Sequence, residues 1–275
     1  LNLPLPTFFT PAQRRHALDD AGVDAVLTDD PQGLAADMPA FRVVDSAPGS
    51  GLALLRRERR TALPFVATDV VKITYTSGST GTPRGVCLTA ATLDAVTDSL
   101  AAAVASAGVQ NHLCLLPLST LLENITAVYV ALRLGACAQL PGAGQTGLRY
   151  GGLDATKLVE TIRFVRPDSL VLVPELLRVI VGAAGEGSLP PTLRFIALGG
   201  AHVPAALLAQ AAALGLPVYE GYGLSECGSV VCLNTPAASR PGSVGRPLPH
   251  VRLRVDAHGE IHVAGAVMAG YLGGA

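Results

Sequence analysis

Between residues 70 and 214, short unbroken apolar runs alternate with helix-patterned segments, and this rhythm restricts the chain more than any other feature. The pattern predicts strands at 70–76, 113–116, 136–140, 169–173 and 193–198. It predicts helices at 91–107, 121–134, 155–165, 174–181 and 204–214, with Pro204 at the first position of the last one. Strands without polar alternation are covered on both faces, which requires parallel sheets between layers of helices. The expected fold class is therefore α/β, parallel sheets layered with helices in an αβαβα arrangement. From about Arg240 the rhythm changes. Residues 251–255 alternate with period two, and after the turn Asp256-Ala257-His258-Gly259 so do residues 259–263, which predicts an antiparallel hairpin with one wet face. The expected domains are an α/β region over 1–239 and the beginning of a β subdomain over 240–275.

The first forty residues read as strand, helix, strand. Thr10, Pro11 and Gln13 form a helix start, with Thr10 as N-cap, Pro11 at the first helical position and Gln13 closing a capping box. Gly22 ends that helix, and Ala25-Val26-Leu27 follows as a short buried strand. Residues 45–63, with four arginines from Arg56 to Arg60, read as an exposed connector whose charges form a solvated face.

Composition narrows the function. The 275 residues hold 49% hydrophobic and 15% charged residues, enough for a large core. Lys+Arg 20 against Asp+Glu 21 leaves a net charge of −1, and Lys72 and Lys157 are the only lysines, so neither a nucleic acid nor an anionic membrane finds a basic surface here. Mean hydropathy is +0.43, but no run reaches the roughly 18 apolar residues of a membrane span. The longest candidate, 91–109, is broken by Asp94 and Asp98. The five cysteines, without CxxC spacing, read as reduced and mostly buried thiols of a cytoplasmic protein. The chain opens Leu-Asn-Leu-Pro and stops at Leu-Gly-Gly-Ala, which reads as an excerpt of a longer protein.

The strongest chemical signal is Tyr75-Thr76-Ser77-Gly78-Ser79-Thr80-Gly81-Thr82-Pro83-Arg84-Gly85, directly after an apolar strand. Glycines let a backbone turn its N–H groups toward an anion, hydroxyls add short donors, and Arg84 adds a positive charge, which is what a polyphosphate cradle needs. It is not a Walker A loop, which requires Gly-Lys-Ser/Thr. A G-x-G-x-x-G match at Gly142 to Gly147 lacks the strand–turn–helix setting of a dinucleotide site. Tyr219-Glu220-Gly221-Tyr222-Gly223-Leu224-Ser225-Glu226 combines an aromatic ring, a hydroxyl and a carboxylate after a short strand. Gly199-Gly200-Ala201 follows another strand and leaves room for a flat ligand.

These segments, followed by Gly245-Arg246-Pro247, Gly259-Glu260-Ile261 and Gly270-Tyr271-Leu272, stand in an order that resembles the adenylate-forming (AMP-binding) superfamily from about Leu3 to Leu272. The resemblance implies an α/β region that binds nucleotide and acyl group. It also implies activation of a small carboxylic acid by ATP with Mg2+, giving an acyl-adenylate and pyrophosphate, and transfer of the acyl group to CoA. Carried over by position, it makes Thr76, Ser77, Gly78, Ser79, Thr80 and Gly81 the grip on the β- and γ-phosphates. Gly199, Gly200 and Ala201 become the adenine slot, with Tyr222 and Gly223 against the ring. Ser225, where the family usually has Thr, contacts the α-phosphate, and Glu226 is the Mg2+ ligand. Arg84 stands where the family usually has Lys, so Ser225, Glu226 and Arg84 form the catalytic set.

The same resemblance places a ribose-binding Asp, a hinge and a small lysine-bearing domain downstream of Gly270-Tyr271-Leu272. The chain is thus expected to be a fragment of the large N-terminal domain, with weak ATP or acyl-adenylate binding, little turnover and exposed apolar sheet edges. Pro117-Leu118-Ser119-Thr120, before an apolar helix, resembles the fatty acyl branch and implies a medium- or long-chain fatty acid, with aryl acids next and amino acids after them. Two alternatives stay open: a non-catalytic nucleotide-binding relative, and adenylation of an aryl or amino acid for a carrier protein. The histidines show no metal spacing; His202 lies beside the expected adenine slot. Oligomeric state is not legible.

Overall fold

The structure, a computed structural model, describes residues 1–58, 68–76, 83–149, 152–187 and 189–274. By packing, the chain divides into two units, Leu1–Cys87 with Ala269–Ala275, and Leu88–Met268.

In the first unit, helix α1 (Pro11–Asp20) begins as its sequence dictates. Thr10 accepts from the Gln13 N–H, the Gln13 side chain accepts from the Thr10 N–H, and Pro11 occupies the first turn. Beyond its end, Gly22 takes φ 60°. The helix sends Ala17 into one apolar cluster, with Phe9, Ile73 and Tyr75, and Leu18 into another, with Leu34 of α2 (Pro31–Asp37), Phe41 and Leu55. Strands β1 (Ala25–Thr28), β2 (Arg42–Ser46) and β3 (Ala53–Arg56) form an antiparallel sheet in the order β1-β3-β2. Two expectations are corrected here. β1 is an edge strand with Leu27 66% exposed, not a buried one, and among the described residues the segment before α1 makes a single bridge, Asn2 to Lys72, in place of a strand.

The expected connector at 45–63 is corrected at β3 and Arg57; residues 47–52 are exposed as expected, and 59–63, with Arg59 and Arg60, lie outside the described residues. β3 alternates Ala53 and Leu55 inward, a period-two signal hidden in four residues. Arg57 is not solvated. Its Nε donates to Val23 O at 2.7 Å, Nη2 to Leu18 O at 2.8 Å and Nη1 to Asp19 at 2.6 Å, while its guanidinium lies 4.7 Å from the Phe41 ring centroid. A planar cation with five donors can satisfy all of these at once, which lysine cannot. Strands β4 (Val70–Thr76), β5 (Arg84–Thr89) and β17 (Gly270–Tyr271) complete this unit as a sheet in the order β17-β5-β4.

The second unit carries the expected parallel sheet. β6 (Asn111–Leu113), β7 (Cys137–Gln139), β10 (Ser169–Leu172), β11 (Phe195–Leu198) and β12 (Val218–Tyr222) run parallel. The antiparallel β13 (Cys232–Leu233) and β14 (Arg246–Pro247) extend the sheet in the order β14-β13-β12-β11-β10-β6-β7. All four residues of β10 are buried, as a strand covered on both faces must be. Leu113, Leu170, Leu172, Ile196 and Leu198 of the sheet pack with Leu158 and Ile162 of α7 (Ala155–Val165), Leu177 and Ile180 of α8 (Pro174–Gly185) and Leu207 of α9 (Ala205–Ala213). The strand expected at 113–116 lies earlier: β6 ends at Leu113, and the Asp168 carboxylate accepts from the N–H groups of Gln110 and Asn111 at its start.

Helix α3 (Ala90–Val104) continues as a tighter turn to Ala107 and ends at Gly108, φ 61°. The expected helix at 121–134 is continuous but not uniform. α4 (Leu121–Glu123) and α5 (Ala131–Leu134) flank a π-helical stretch, Asn124–Val130. Pro204 caps α9 from outside instead of occupying its first position. The G-x-G-x-x-G match forms one turn, α6 (Ala143–Thr146), closed by Gly147 at φ 73°; β8 (Leu148–Arg149) and β9 (Gly152–Leu153) follow. A four-residue turn is not the long helix that faces a dinucleotide phosphate. The hairpin β15 (Val251–Val255) and β16 (Ile261–Gly265) turns through Gly259 at φ 82°, as read from sequence, and counts with the second unit. All five cysteines are free; four are buried and Cys137 is exposed. Among the described residues no helix is long and apolar enough to cross a membrane.

Candidate nucleotide and acid site

Parallel strands end in loops, and the carboxyl edge of such a sheet is where ligands bind. In the second unit the ends of β10, β11 and β12 surround a cavity of about 170 Å³. Val171 contributes from β10, Ala197 to Gly200 from the end of β11, and Gly221 to Ser225 from the end of β12. Thr120, Leu121 and Leu122, where α4 begins, form another wall. Ser229, Val230 and Leu233 form the rest.

Two glycines shape this cavity. Gly200 sits at φ 84°, a conformation side chains rarely adopt. At Gly223 a Cβ would collide with the Ser229 carbonyl and approach Val230 Cα to 2.8 Å, so no larger residue fits without moving backbone. Ser229 itself has φ 110°, unusual for a residue with a side chain. Such strain persists only where surrounding packing enforces it, and it concentrates at ligand sites.

Ser225, Glu226 and Cys227 form a single tight turn after β12, closed by Gly228 at φ 70°. The Met268 N–H donates to the Glu226 carbonyl at 2.7 Å and fixes that turn. Burial raises the Tyr222 hydroxyl above its ordinary pKa, with Cys227, Cys232 and Glu226 adding to the shift, so the ring stays neutral. Burial also raises the Glu220 carboxyl, against an opposing pull from His202. Burial first, and Glu226 second, push the Cys227 thiol up to about 11.

Of the residues singled out from sequence, Gly199, Gly200, Tyr222, Gly223 and Ser225 meet in this one cavity. Ala201 and Glu226 each adjoin a lining residue without lining it themselves; Glu226 is half-buried. Thr76 ends β4 and Arg84 begins β5, both in the first unit. The Arg84 guanidinium stacks 3.5 Å from the Tyr271 ring centroid. Ser77, Gly78, Ser79, Thr80 and Gly81 lie outside the described residues. Sequence reasoning missed Val171, Ser229, Val230 and Leu233. Apolar lining looks like core, and nothing in a sequence marks a serine of positive φ. It also missed one arrangement of histidine with acids. Asp256, Glu260 and His262 bring ligand atoms within 4.8 Å of one another on the exposed hairpin, where Asp256 accepts from the N–H groups of His258 and Glu260.

The sequence profile of the AMP-binding enzyme family matches residues 2–272. Among curated proteins, the 2-succinylbenzoate–CoA ligase of Bacillus cereus (strain AH820) is 28% identical over 276 residues, covering 92% of this chain and 52% of that protein. The chain thus spans about half the length of the curated relatives it matches. Among solved structures, VinN in complex with L-aspartate aligns with a TM-score of 0.72 at 23% identity, over 98% of this chain and 70% of that one. The o-succinylbenzoate CoA synthetase of Bacillus subtilis, in complex with its acyl-adenylate intermediate, aligns with a TM-score of 0.69 at 20% identity, over 98% and 70%.

Proposed function

Because the chain belongs to the AMP-binding enzyme family, we propose that it is the nucleotide- and acid-binding part of an enzyme that activates a carboxylic acid with ATP. In this reading a carboxylate oxygen attacks the α-phosphorus, the bond to pyrophosphate breaks, and the acyl-adenylate passes its acyl group to the thiol of CoA. Tyr222 stacks on the adenine, and Gly199, Gly200 and Gly223 leave space for the ring. The Ser225 hydroxyl donates to an α-phosphate oxygen. Residues 76–81 and Arg84 hold the β- and γ-phosphates. The reaction brings anions together, so preorganised donors where charge develops account for much of the rate.

Glu226 is the proposed Mg2+ ligand. One carboxylate completed by phosphate oxygens is a donor set that Mg2+ accepts, and the half-buried carboxylate beside Ser225 fits it. When bound, the ion offsets phosphate charge. The observation that carries the proposal is the convergence of Gly199, Gly200, Tyr222, Gly223 and Ser225 on one cavity at the carboxyl edge of the sheet.

The acid is proposed to be compact and apolar. Leu121, Leu122, Val171 and Leu233 line the cavity. An aryl or medium-chain acid is proposed in place of the long-chain fatty acid expected from the Pro117 segment. The named relatives act on or bind succinylbenzoate and L-aspartate, neither of them a fatty acid. A second reading, a nucleotide-binding relative without turnover, is favoured by Arg84, whose guanidinium is engaged by Tyr271.

Two measurements test this. Acyl-sulfamoyl-adenosines with aryl, medium-chain and long-chain acyl groups are titrated into the 275-residue chain, and binding of the aryl or medium-chain compounds is expected. Acid-dependent ATP–pyrophosphate exchange is measured on the whole protein that contains it. Binding without exchange selects the second reading, and failure to bind any of the analogues refutes both.

A further inference from the structure

Helix α1 carries His16 and Asp20 four residues apart, which places them on one face. Each reaches the end of a different strand. The Tyr75 hydroxyl donates to Asp20 Oδ2 at 2.7 Å, and Tyr75 precedes Thr76 at the end of β4. His16 Nε2 lies 3.0 Å from the Pro83 carbonyl oxygen, and Pro83 precedes Arg84 at the start of β5. A carbonyl can only accept, so Nε2 carries the proton and donates. The two strand ends are also joined through the rings: His16 and Tyr75 meet edge to face at 6.2 Å and 82°.

The surroundings make this arrangement firm. Tyr75 is 4% exposed, and burial and Asp20 both raise its hydroxyl pKa, so it remains a donor. The Cys87 thiol also faces Asp20 and is raised by burial first. Between the strands, a Cβ at Gly85 would lie 3.2 Å from the Tyr75 ring and 3.1 Å from Ile73 and Leu272, so β5 lies close against Tyr75. One helix therefore fastens the next-to-last residue of β4, Tyr75, and the residue just before β5, Pro83.

We propose that His16 and Asp20 are positioning residues that hold Thr76 and Arg84 in register for the phosphate chain of ATP. The proposal rests on the reading of residues 76–84 as the phosphate-binding segment. Neither side chain touches ligand; each acts through Tyr75 or Pro83. Donors held in place before the anion arrives need no reorganisation.

The test uses the 275-residue chain with His16→Phe, which keeps a ring and removes the donor, and Tyr75→Phe, which removes the bond to Asp20. His16→Gln, which retains an N–H donor, serves as the rescue. The first readout needs no nucleotide: amide hydrogen exchange at 74–76 and 84–86, expected to rise about fivefold in both Phe variants, the effect of losing one hydrogen bond. The second is the dissociation constant of MgATP against that of AMP, which lacks the outer phosphates. MgATP is expected to weaken about fivefold while AMP is unchanged, with His16→Gln restoring the difference. Unchanged exchange, or equal losses for MgATP and AMP, overturns the proposal. A parent chain that does not prefer MgATP over AMP refutes the phosphate reading instead, and the exchange data then judge the fastening alone. Melting temperatures of all variants separate these outcomes from global unfolding.

Discussion

The cavity wall makes Gly223→Ala the most informative single change. The added methyl meets only backbone, the Ser229 carbonyl and Val230 Cα, so no side chain can rotate away to receive it. Relief must come from the 228–230 turn, where Gly228 at φ 70° and Ser229 at φ 110° are already in the left-handed half of conformational space. Forcing extra volume into a packed site costs about 1–3 kcal/mol, and further distortion of a strained residue adds about 1 kcal/mol. The expected loss is about 2–4 kcal/mol, and at about 2 °C per kcal/mol for a chain of this length the melting temperature drops by about 4–8 °C. Ser229 and Val230 line the cavity, so nucleotide affinity falls as well, by about tenfold or more, the equivalent of 1.4 kcal/mol. The control is Gly144→Ala inside α6, where a Cβ meets nothing within 4 Å and alanine favours the helix. Differential scanning fluorimetry and titration with a fluorescent ATP analogue read both effects. If Gly223→Ala melts within about 1 °C of the parent and binds ATP equally well, Gly223 does not pack against the 228–230 turn as a wall of the cavity.

Arg57→Met is expected to destabilise the chain by about 2–4 kcal/mol, read as a lower urea midpoint. It takes the Arg57 donor from the Val23 carbonyl and from the Leu18 carbonyl, which keeps the Val23 N–H, and it removes the ion pair with Asp19 inside the first unit. Iodoacetamide at about pH 8 is expected to modify Cys137 first, as the one exposed thiol, while burial raises the pKa of Cys87, Cys114, Cys227 and Cys232; mass spectrometry of the folded chain that finds several equally labelled cysteines contradicts this packing. Burial lowers the His250 pKa below its ordinary 6.5, against a smaller opposing effect of the Val230 backbone. The unfolded chain therefore takes up that proton first, so the contribution of His250 is complete above about pH 6.5 and is lost as pH falls toward the folded value. Urea midpoints of the parent and His250→Phe, compared at about pH 7 and about pH 5.5, are expected to show a smaller acid loss in the variant; parallel losses refute the assignment.

The second unit was largely legible in the sequence because its information is local. A strand such as β10, Ser-Leu-Val-Leu, is apolar throughout because both its faces are covered, and turn residues bound it on each side. The first unit was less legible because its elements are defined by distant partners. β3 is four residues long and shows only one full period of alternation. Arg57 sits in a charge-rich stretch, and only Phe41, Leu18 and Val23 decide that it is interior. The π-helical turn after Glu123 has a similar origin. Glu123 is fully buried and lies 3.4 Å from His112 Nε2, while His112 Nδ1 meets Ser169 at 2.8 Å, so the start of that helix is tied to β6 and β10 by contacts that no helical periodicity encodes.

The candidate site divides along the same line. Gly199, Gly200, Tyr222, Gly223 and Ser225 could be named in advance because they are chemically unlike their surroundings: glycines and a hydroxyl directly behind apolar strands. Val171, Val230 and Leu233 could not, since a wall facing a ligand and a wall facing another wall use the same side chains. That asymmetry also bears on substrate choice. The proposed nucleotide side of the cavity is built from residues whose identity is constrained by backbone geometry, as the collision at Gly223 and the positive φ of Gly200 demonstrate. The Leu121, Leu122 and Leu233 side is constrained only by volume. Exchanging Leu122 for alanine should therefore leave nucleotide affinity unchanged and shift acid preference toward bulkier acyl groups. About 1–3 kcal/mol separates acids that differ by one methylene in an apolar pocket. Acyl-sulfamoyl-adenosine titrations on the parent and Leu122→Ala, compared across a graded series of acyl lengths, read that shift directly. An unchanged ranking of the series would mean that this wall does not face the acid.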